Sequence, residues 1–458
     1  MRMKIGVTLI VLVLGVMFVG ELVGSSAQNS LEKTAQETQS TNNSKNLMYI
    51  GVLLTGIAGI LGVLFKIAQF IYKVKSKVKI LYSAEEIDSK GTTEEVNEIH
   101  KNIVQNPKSS LLEKAIAEAY SLQKKGRIEE AIEKWRSIAN IAEGNDNSLA
   151  GEALVWVGYL YVKVSKGKYG LSALNKAFEL NAASAEAYNY RGLAKSLLGK
   201  HQDAITDYNM AISLKSDYVE AYVNRGIAQN SLGKHEEAIA DYSIAISLKS
   251  NDAEVYFNRG NAKNSDGQDE AALDDYTEAI EIKPDYAEAY YNRGKLKDKH
   301  GQSADALSDY DLAIRTKPDY AEAYLTRGNI KFRHQMKESA VEGGQSQILQ
   351  IQNQADFFLA DYDLAIKSKP NYAAAYVDRG HIKKFIGQNE EALADYTQAI
   401  LLQPNFTRAY TSRGMLKLDL GDVNGAMGDC EIALNLAEEQ EIQVIKTMIT
   451  DSLVGIPT

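Results

Sequence analysis

Fourteen charged residues recur in register along this chain and are its first candidates for chemistry. Arg191, Arg225, Arg259, Arg293, Arg327, Arg379 and Arg413 each precede a glycine, and five of their six intervals are 34 residues. The remaining interval, from Arg327 to Arg379, is 52, which is one repeat plus an 18-residue insertion. Asp207, Asp241, Asp275, Asp309, Asp395 and Asp429 each follow an arginine by sixteen residues, and the insertion displaces the partner of Arg327 to Asp361. Guanidinium groups repeated in this way can bind anions or can pair bidentately with carboxylates. Internal comparison favours pairing. The unit at 151 has Val157 and Ala173 at the two places, and the unit at 112 has the reversed charges Glu118 and Lys134. Replacement two at a time is what direct contact predicts, and a ladder of inter-helix ion pairs is expected. Bidentate pairs between packed helices would be stronger than surface pairs.

Catalytic constellations are not found. His100, His201, His235, His300, His334 and His381 lack metal-ligand spacing, and no glycine loop of phosphate-binding type occurs. Cys430 is the single cysteine, so an intramolecular disulfide is excluded; it stands where other repeats carry tyrosine and reads as a buried apolar side chain. A residue repeated in every unit packs, whereas a catalytic residue would occur once. The expectation is a non-enzyme with no metal and no cofactor.

The elements that position the ladder follow from the 34-residue unit. In the unit 185–218, Tyr188, Gly192 and Lys195 share one helical face, and Ala204, Tyr208, Ala211 and Ile212 share another. Gly199, between them, supplies the left-handed residue that ends the first helix. Small residues let the two helices approach, and the tyrosines fill the remaining space. Pro284, Pro318, Pro370 and Pro404 stop second helices, and Asp285, Asp319, Asn371 and Asn405 follow as expected N-caps. Nine units are expected, at 112–150, 151–184, 185–218, 219–252, 253–286, 287–320, 321–372, 373–406 and 407–440. The first two are divergent, with Gly126, Ala131 and Trp135 in one and Gly158 and Phe178 in the other. The segment 441–453, with Ile442, Ile445, Met448, Ile449 and Leu453, reads as an amphipathic helix capping the stack, and 454–458 as a tail.

This pattern of aromatic, Gly, Ala, aromatic, Ala and Pro resembles the tetratricopeptide repeat family, over about three quarters of the chain. The resemblance implies an all-α fold, a right-handed α-α superhelix of about nine hairpins over 112–440. It also implies that first helices line a concave groove for a protein or peptide client. The groove positions would be Glu220, Asn224, Glu254, Asn258, Asn261, Glu288, Asn292, Lys295, Glu322 and Asn329. Asparagine amides can grip a peptide backbone through both donor and acceptor, although Glu and Asn are also ordinary residues of a solvated helix face. Some relatives clamp an acidic chaperone C-terminus with basic residues near these places; here those neighbours are largely glutamates. The arginine before the first-helix glycine departs from the family pattern, which has an apolar residue there. The insertion, near 333–353, is expected to interrupt the turn between two helices, either as a plain loop or as a binding element. Phe358 replaces the usual alanine beside it and predicts looser packing.

Ahead of the repeats the composition changes. Residues 1–27 have a basic start, an apolar run and a small-residue exit, the layout of a signal peptide or of a retained first transmembrane helix. A polar extracytoplasmic segment, 28–46, leads into the apolar run 47–72, long enough to cross a bilayer. Lys66, Lys73, Lys75, Lys77 and Lys79 follow or flank its end, so 73–111, read as basic juxtamembrane and linker helices, and all that follows are expected to be cytoplasmic. The same lysines could meet anionic membrane lipid. Gly51, Thr55, Ala58, Gly59 and Gly62 form a small-residue stripe open to homo-dimerisation, although membrane helices are commonly glycine-rich. The chain carries net charge −9; residues 1–82 hold nine basic and three acidic groups, which leaves −15 for the rest. An acidic body of that kind repels phosphate backbones, so no nucleic-acid partner is expected. The combined expectation is a membrane-anchored scaffold or adaptor, the alternative being an assembly subunit of a membrane complex recognised through its transmembrane segment.

Overall fold

A computed structural model describes residues 111–249, 251–342 and 355–437, together with positions 442 and 447. Eighteen helices pair into nine hairpins, and no strand occurs among the described residues. The hairpins are α1 (Leu111–Lys124) with α2 (Ile128–Ala142), α3 (Asn147–Lys163) with α4 (Gly167–Glu179), and α5 (Ala185–Leu197) with α6 (His201–Leu214). They continue as α7 (Val219–Ser231) with α8 (His235–Leu248), α9 (Ala253–Ser265) with α10 (Asp269–Ile282), and α11 (Ala287–Lys299) with α12 (Ser303–Thr316). The last three are α13 (Ala321–Glu342) with α14 (Ala355–Ser368), α15 (Ala373–Phe385) with α16 (Asn389–Leu402), and α17 (Thr407–Asp419) with α18 (Val423–Leu436). Each helix packs on its neighbours in the chain, and first helices such as α5 and α7 also touch. That is a solenoid, in which no hairpin buries its apolar face alone.

From α5 to α16, packing inside a hairpin is set by one glycine and one ring. A Cβ on Gly192 would sit 2.5 Å from the Tyr208 ring, and on Gly380 it would sit 2.6 Å from Tyr396. Tyr208, Tyr276, Tyr310 and Tyr396 are fully buried, as are Ala204 and Ala211 on either side of the first ring. The hairpin turn has a backbone requirement of its own. Gly199 has φ +72°, and the amide of Lys200 donates to the carbonyl of Lys195 at 3.0 Å, closing the first helix. In the second hairpin Ser165 occupies the same place and takes φ +57°, a conformation that costs a residue with a Cβ.

The structure corrects four local expectations. Asp285, Asn371 and Asn405 are not N-caps: the cap positions of α11, α15 and α17 fall on Tyr286, Tyr372 and Phe406, with no side-chain cap bond. The main-chain carbonyls of Asp285, Asp319, Asn371 and Asn405 instead accept from amides two residues on, so a tight turn follows each proline and the aromatic faces its neighbours. Tyr286, for example, lies 4.9 Å from Phe257. The insertion does not begin by breaking its helix, because α13 runs on to Glu342, 22 residues in all. Gln335 stands there in place of the turn glycine, and nothing ends the helix. Phe358 does not loosen the packing: it is buried and meets Phe332 edge-on at 5.9 Å, which in turn meets Phe385 at 5.4 Å. Finally, α3 starts at Asn147, capped by Asp146, four residues before the expected unit boundary.

The expected signal or first transmembrane segment 1–27, the segments 28–46 and 47–72, the basic stretch after it and the dimerisation stripe lie outside the described residues, as does nearly all of the expected capping helix. Among the described residues no helix is long and apolar enough to cross a membrane.

Candidate interaction groove and the ion-pair ladder

Each of the seven arginines sits on a first helix and reaches the second helix of its own hairpin. Nε and Nη2 of Arg191 donate to Asp207 at 3.0 and 2.6 Å, and those of Arg225 donate to Asp241 at 2.7 and 2.6 Å. Arg259 with Asp275, Arg293 with Asp309 and Arg379 with Asp395 repeat the fork at 2.6 to 3.0 Å. Arg327 reaches Asp361 across the insertion at 3.0 and 2.5 Å, and Arg413 reaches Asp429 at 2.8 and 2.7 Å. The carboxylates are buried to within a few per cent, so each must be paired. Glu118 and Lys134 are also in contact, with both side chains at the surface, and Val157 is buried.

Two components of the ladder escaped the sequence reading. A lysine one turn after the arginine bonds the same aspartate: Lys195, Lys263, Lys297, Lys331, Lys383 and Lys417 lie 2.7 to 3.0 Å from their carboxylates. Gln229 takes this place in the Arg225 rung, its amide nitrogen turned toward Asp241 at 2.8 Å. The signal was available, since four residues is one helical turn. The second component joins hairpins. Nη1 of Arg225 donates to Asn209 of the preceding hairpin at 2.6 Å, and later arginines do the same to Ser243, Thr277, Asp311, Asp363 and Thr397. All six acceptors directly follow the Asp-Tyr or corresponding pair.

Pairing shifts the proton equilibria. The Asp241 carboxylate bonded to Arg225 raises the guanidinium pKa, as Asp429 does for Arg413. Burial alone would raise the carboxyl of Asp429, but the bonds from Arg413 and Lys417 outweigh it and hold it below the ordinary range.

The expected groove positions fall on first helices but do not share one state. On α11 and α13, Glu288 pairs with Lys317 at 3.0 Å and Glu322 with Lys369 at 2.8 Å. Burial would raise both glutamates, yet these ammonium groups outweigh it and hold them low. Asn292 donates to Asn261 at 2.9 Å, and Asn261 accepts from Tyr276 at 2.8 Å. Asn329 donates to Asp378 at 3.0 Å and accepts from Tyr362 at 2.8 Å, and Arg408 also contacts Asp378. Lys295 is exposed beside the Tyr291 ring. On α7 and α9 the pattern is sparser. Asn224 donates to the buried Asn189 at 3.0 Å, while the side chains of Glu220, Glu254 and Asn258 make no hydrogen bond or ion pair. Ile227 on α7 is 42% exposed. Among the described residues no group of His, Cys, Asp and Glu is arranged to hold a metal ion.

Repeated hairpins of this geometry define a class, the helical-repeat solenoids. Residues 196–233, 228–264 and 260–301 match a TPR repeat family model, and residues 287–320 and 373–406 match a tetratricopeptide repeat model. The chain therefore carries tetratricopeptide repeats. Nothing among curated proteins matches it. Similar solved structures include a tetratricopeptide repeat protein from Parabacteroides merdae, 21% identical over 59% of this chain and 98% of its own, with a TM-score of 0.44. MamA is 23% identical over 40% of this chain and 96% of its own, with a TM-score of 0.33. YrrB, described as a TPR protein with an unusual peptide-binding site, is 23% identical over 40% and 94%, with a TM-score of 0.35. Likeness at this level carries no argument about what the chain binds.

Proposed function

We propose that this protein is a membrane-anchored scaffold that binds a protein or peptide client along the first-helix face of its repeats and performs no catalysis itself. One contrast carries the reading. On α11 and α13 Glu288, Asn292, Glu322 and Asn329 are each bonded to another side chain, whereas the side chains of Glu220 on α7 and of Glu254 and Asn258 on α9 make no hydrogen bond or ion pair, and Ile227 on α7 is exposed. Polar groups of both kinds around an apolar contact can fix an extended chain through its backbone and side chains. The basic segment beyond residue 72 supports a cytoplasmic placement of the repeats, and its lysines would meet anionic lipid headgroups. The apolar run 47–72 would supply the anchor and, through its small-residue stripe, a dimer contact.

Crosslinking the full chain in its native membrane, with and without residues 1–72, tests this. A groove scaffold keeps its crosslinked client after the deletion and loses it on replacing Asn224, Asn258 and Ile227. Loss of all partners on deleting 1–72 would instead establish a subunit recognised through its transmembrane segment.

A further inference from the structure

The ladder has an irregularity that coincides with the insertion. In the rungs of Arg259, Arg293 and Arg413, two cations face one buried carboxylate, and Nη1 of the arginine goes back to a hydroxyl. Those hydroxyls are Ser243 at 3.1 Å, Thr277 at 3.3 Å and Thr397 at 3.2 Å. The Arg225 rung has Gln229 in place of the lysine, and Nη1 goes to the amide of Asn209. Arg327 and Arg379 differ. Nη1 of Arg327 meets Asp311 at 2.6 Å, and Nη1 of Arg379 meets Asp363 at 2.6 Å. With Lys331 and Lys383 in place, each of these rungs has two cations and two carboxylates and is electrically balanced.

These two junctions are the ones on either side of α13 and α14, the hairpin that carries the insertion. That hairpin has the longest connection between its two helices. Its first helix lacks the turn glycine, and twelve residues separate Glu342 from Ala355, against three between α5 and α6. A longer connection costs more entropy to close, so the alignment of this hairpin depends more on bonds to its neighbours. A charged acceptor makes a stronger bond to guanidinium than a hydroxyl does. We propose that Asp311 and Asp363 form an ionic clasp that holds the insertion-bearing hairpin in register with the hairpins before and after it. Both carboxylates are exposed, at 62% and 58% of the side chain, so dissolved salt screens the clasp while leaving the buried forks to Asp361 and Asp395 intact.

Hydrogen exchange of the full-length chain, read by mass spectrometry, tests the clasp. Asp311→Thr with Asp363→Thr installs a residue that the Arg293 and Arg413 junctions already use, so the variant is expected to fold. At about 0.05 M salt, amides in 321–336 and 355–385 should exchange about threefold to tenfold faster than in the parent, with 185–265 unchanged. At about 1 M salt the parent should approach the variant, which should itself respond little. The converse substitution, Thr277→Asp, should slow exchange at the junction of α10 and α11. Identical exchange in parent and variant at low salt would overturn the proposal. So would a uniform rise along the whole array, which would mean general destabilisation.

Discussion

The first two hairpins and the seven that follow share one backbone plan but hold themselves together by different means. In α1 to α4 the core is an aromatic run: Trp135 stacks on Trp156 at 6.0 Å, Tyr120 meets both edge-on, and Tyr159 continues the run to Tyr190 on α5. From α5 onward each hairpin is closed by a buried Arg-Asp fork with a lysine or glutamine in support. Aromatic packing is non-directional in its main energy, so it tolerates the irregular spacing of an end unit. A bidentate fork is directional, and it therefore repeats the same inter-helix geometry in each unit that carries it. The contrast separates two demands on a repeat array, a sealed end and a uniform middle.

Removing the ring at the centre of the aromatic run should have the largest effect. Trp135→Ala should destabilise the first two hairpins by about 3–5 kcal/mol, with little dependence on salt. Denaturation followed together with local hydrogen exchange would show whether the loss is confined to residues 111–180. Next comes the ladder. Arg259→Val leaves Asp275 buried with Lys263 alone and should cost about 3 kcal/mol, whereas removing both charges of the fork as Arg259→Val with Asp275→Ala should restore much of it. A double-mutant cycle by urea denaturation checks the sign, and equal cost for single and double would break the comparison.

Acid should act on the ionic region first. The carboxyl of Asp429 is held below its ordinary value, so its stabilisation is full above the unfolded pKa. It is lost as pH falls through the lower folded value. Exchange in α17 and α18 should therefore accelerate on acidification before that in α1 and α2, a difference that Asp429→Asn with Arg413→Met would remove. The smallest effect is a gain. Ser165→Gly should stabilise the second hairpin by about 1 kcal/mol by relieving its left-handed backbone, measurable as a rise in the urea midpoint.

Much of this was legible because repeats turn three-dimensional contacts into sequence statistics. Arg191 and Asp207, like Val157 and Ala173, vary in pairs, and the pairing is visible without coordinates. Gly199 announces its turn because few other residues take φ +72° without cost. The supporting lysines were one helical turn from the arginines and could have been read by the same rule. The Nη1 acceptors were harder, since Asn209, Ser243, Thr277 and Asp311 share polarity but not identity. The helix starts after the prolines are hidden from the sequence for a related reason. Asp285 has the right chemistry for a cap, but the ring of Tyr286 has a packing site between hairpins, and seating it moves the helix start by one residue.

By itself, then, the sequence determined the hairpin, its period, its turn and the residues that pair across it, because these depend on spacing within some 34 residues. Tertiary structure decided what lies between hairpins. It set which hydroxyl or carboxylate receives the third arginine bond, how Phe358 is housed, and which groove groups are already spent on one another. Those outcomes depend on how successive helices lean together, and a leaning angle is the sum of many weak contacts that no single spacing records.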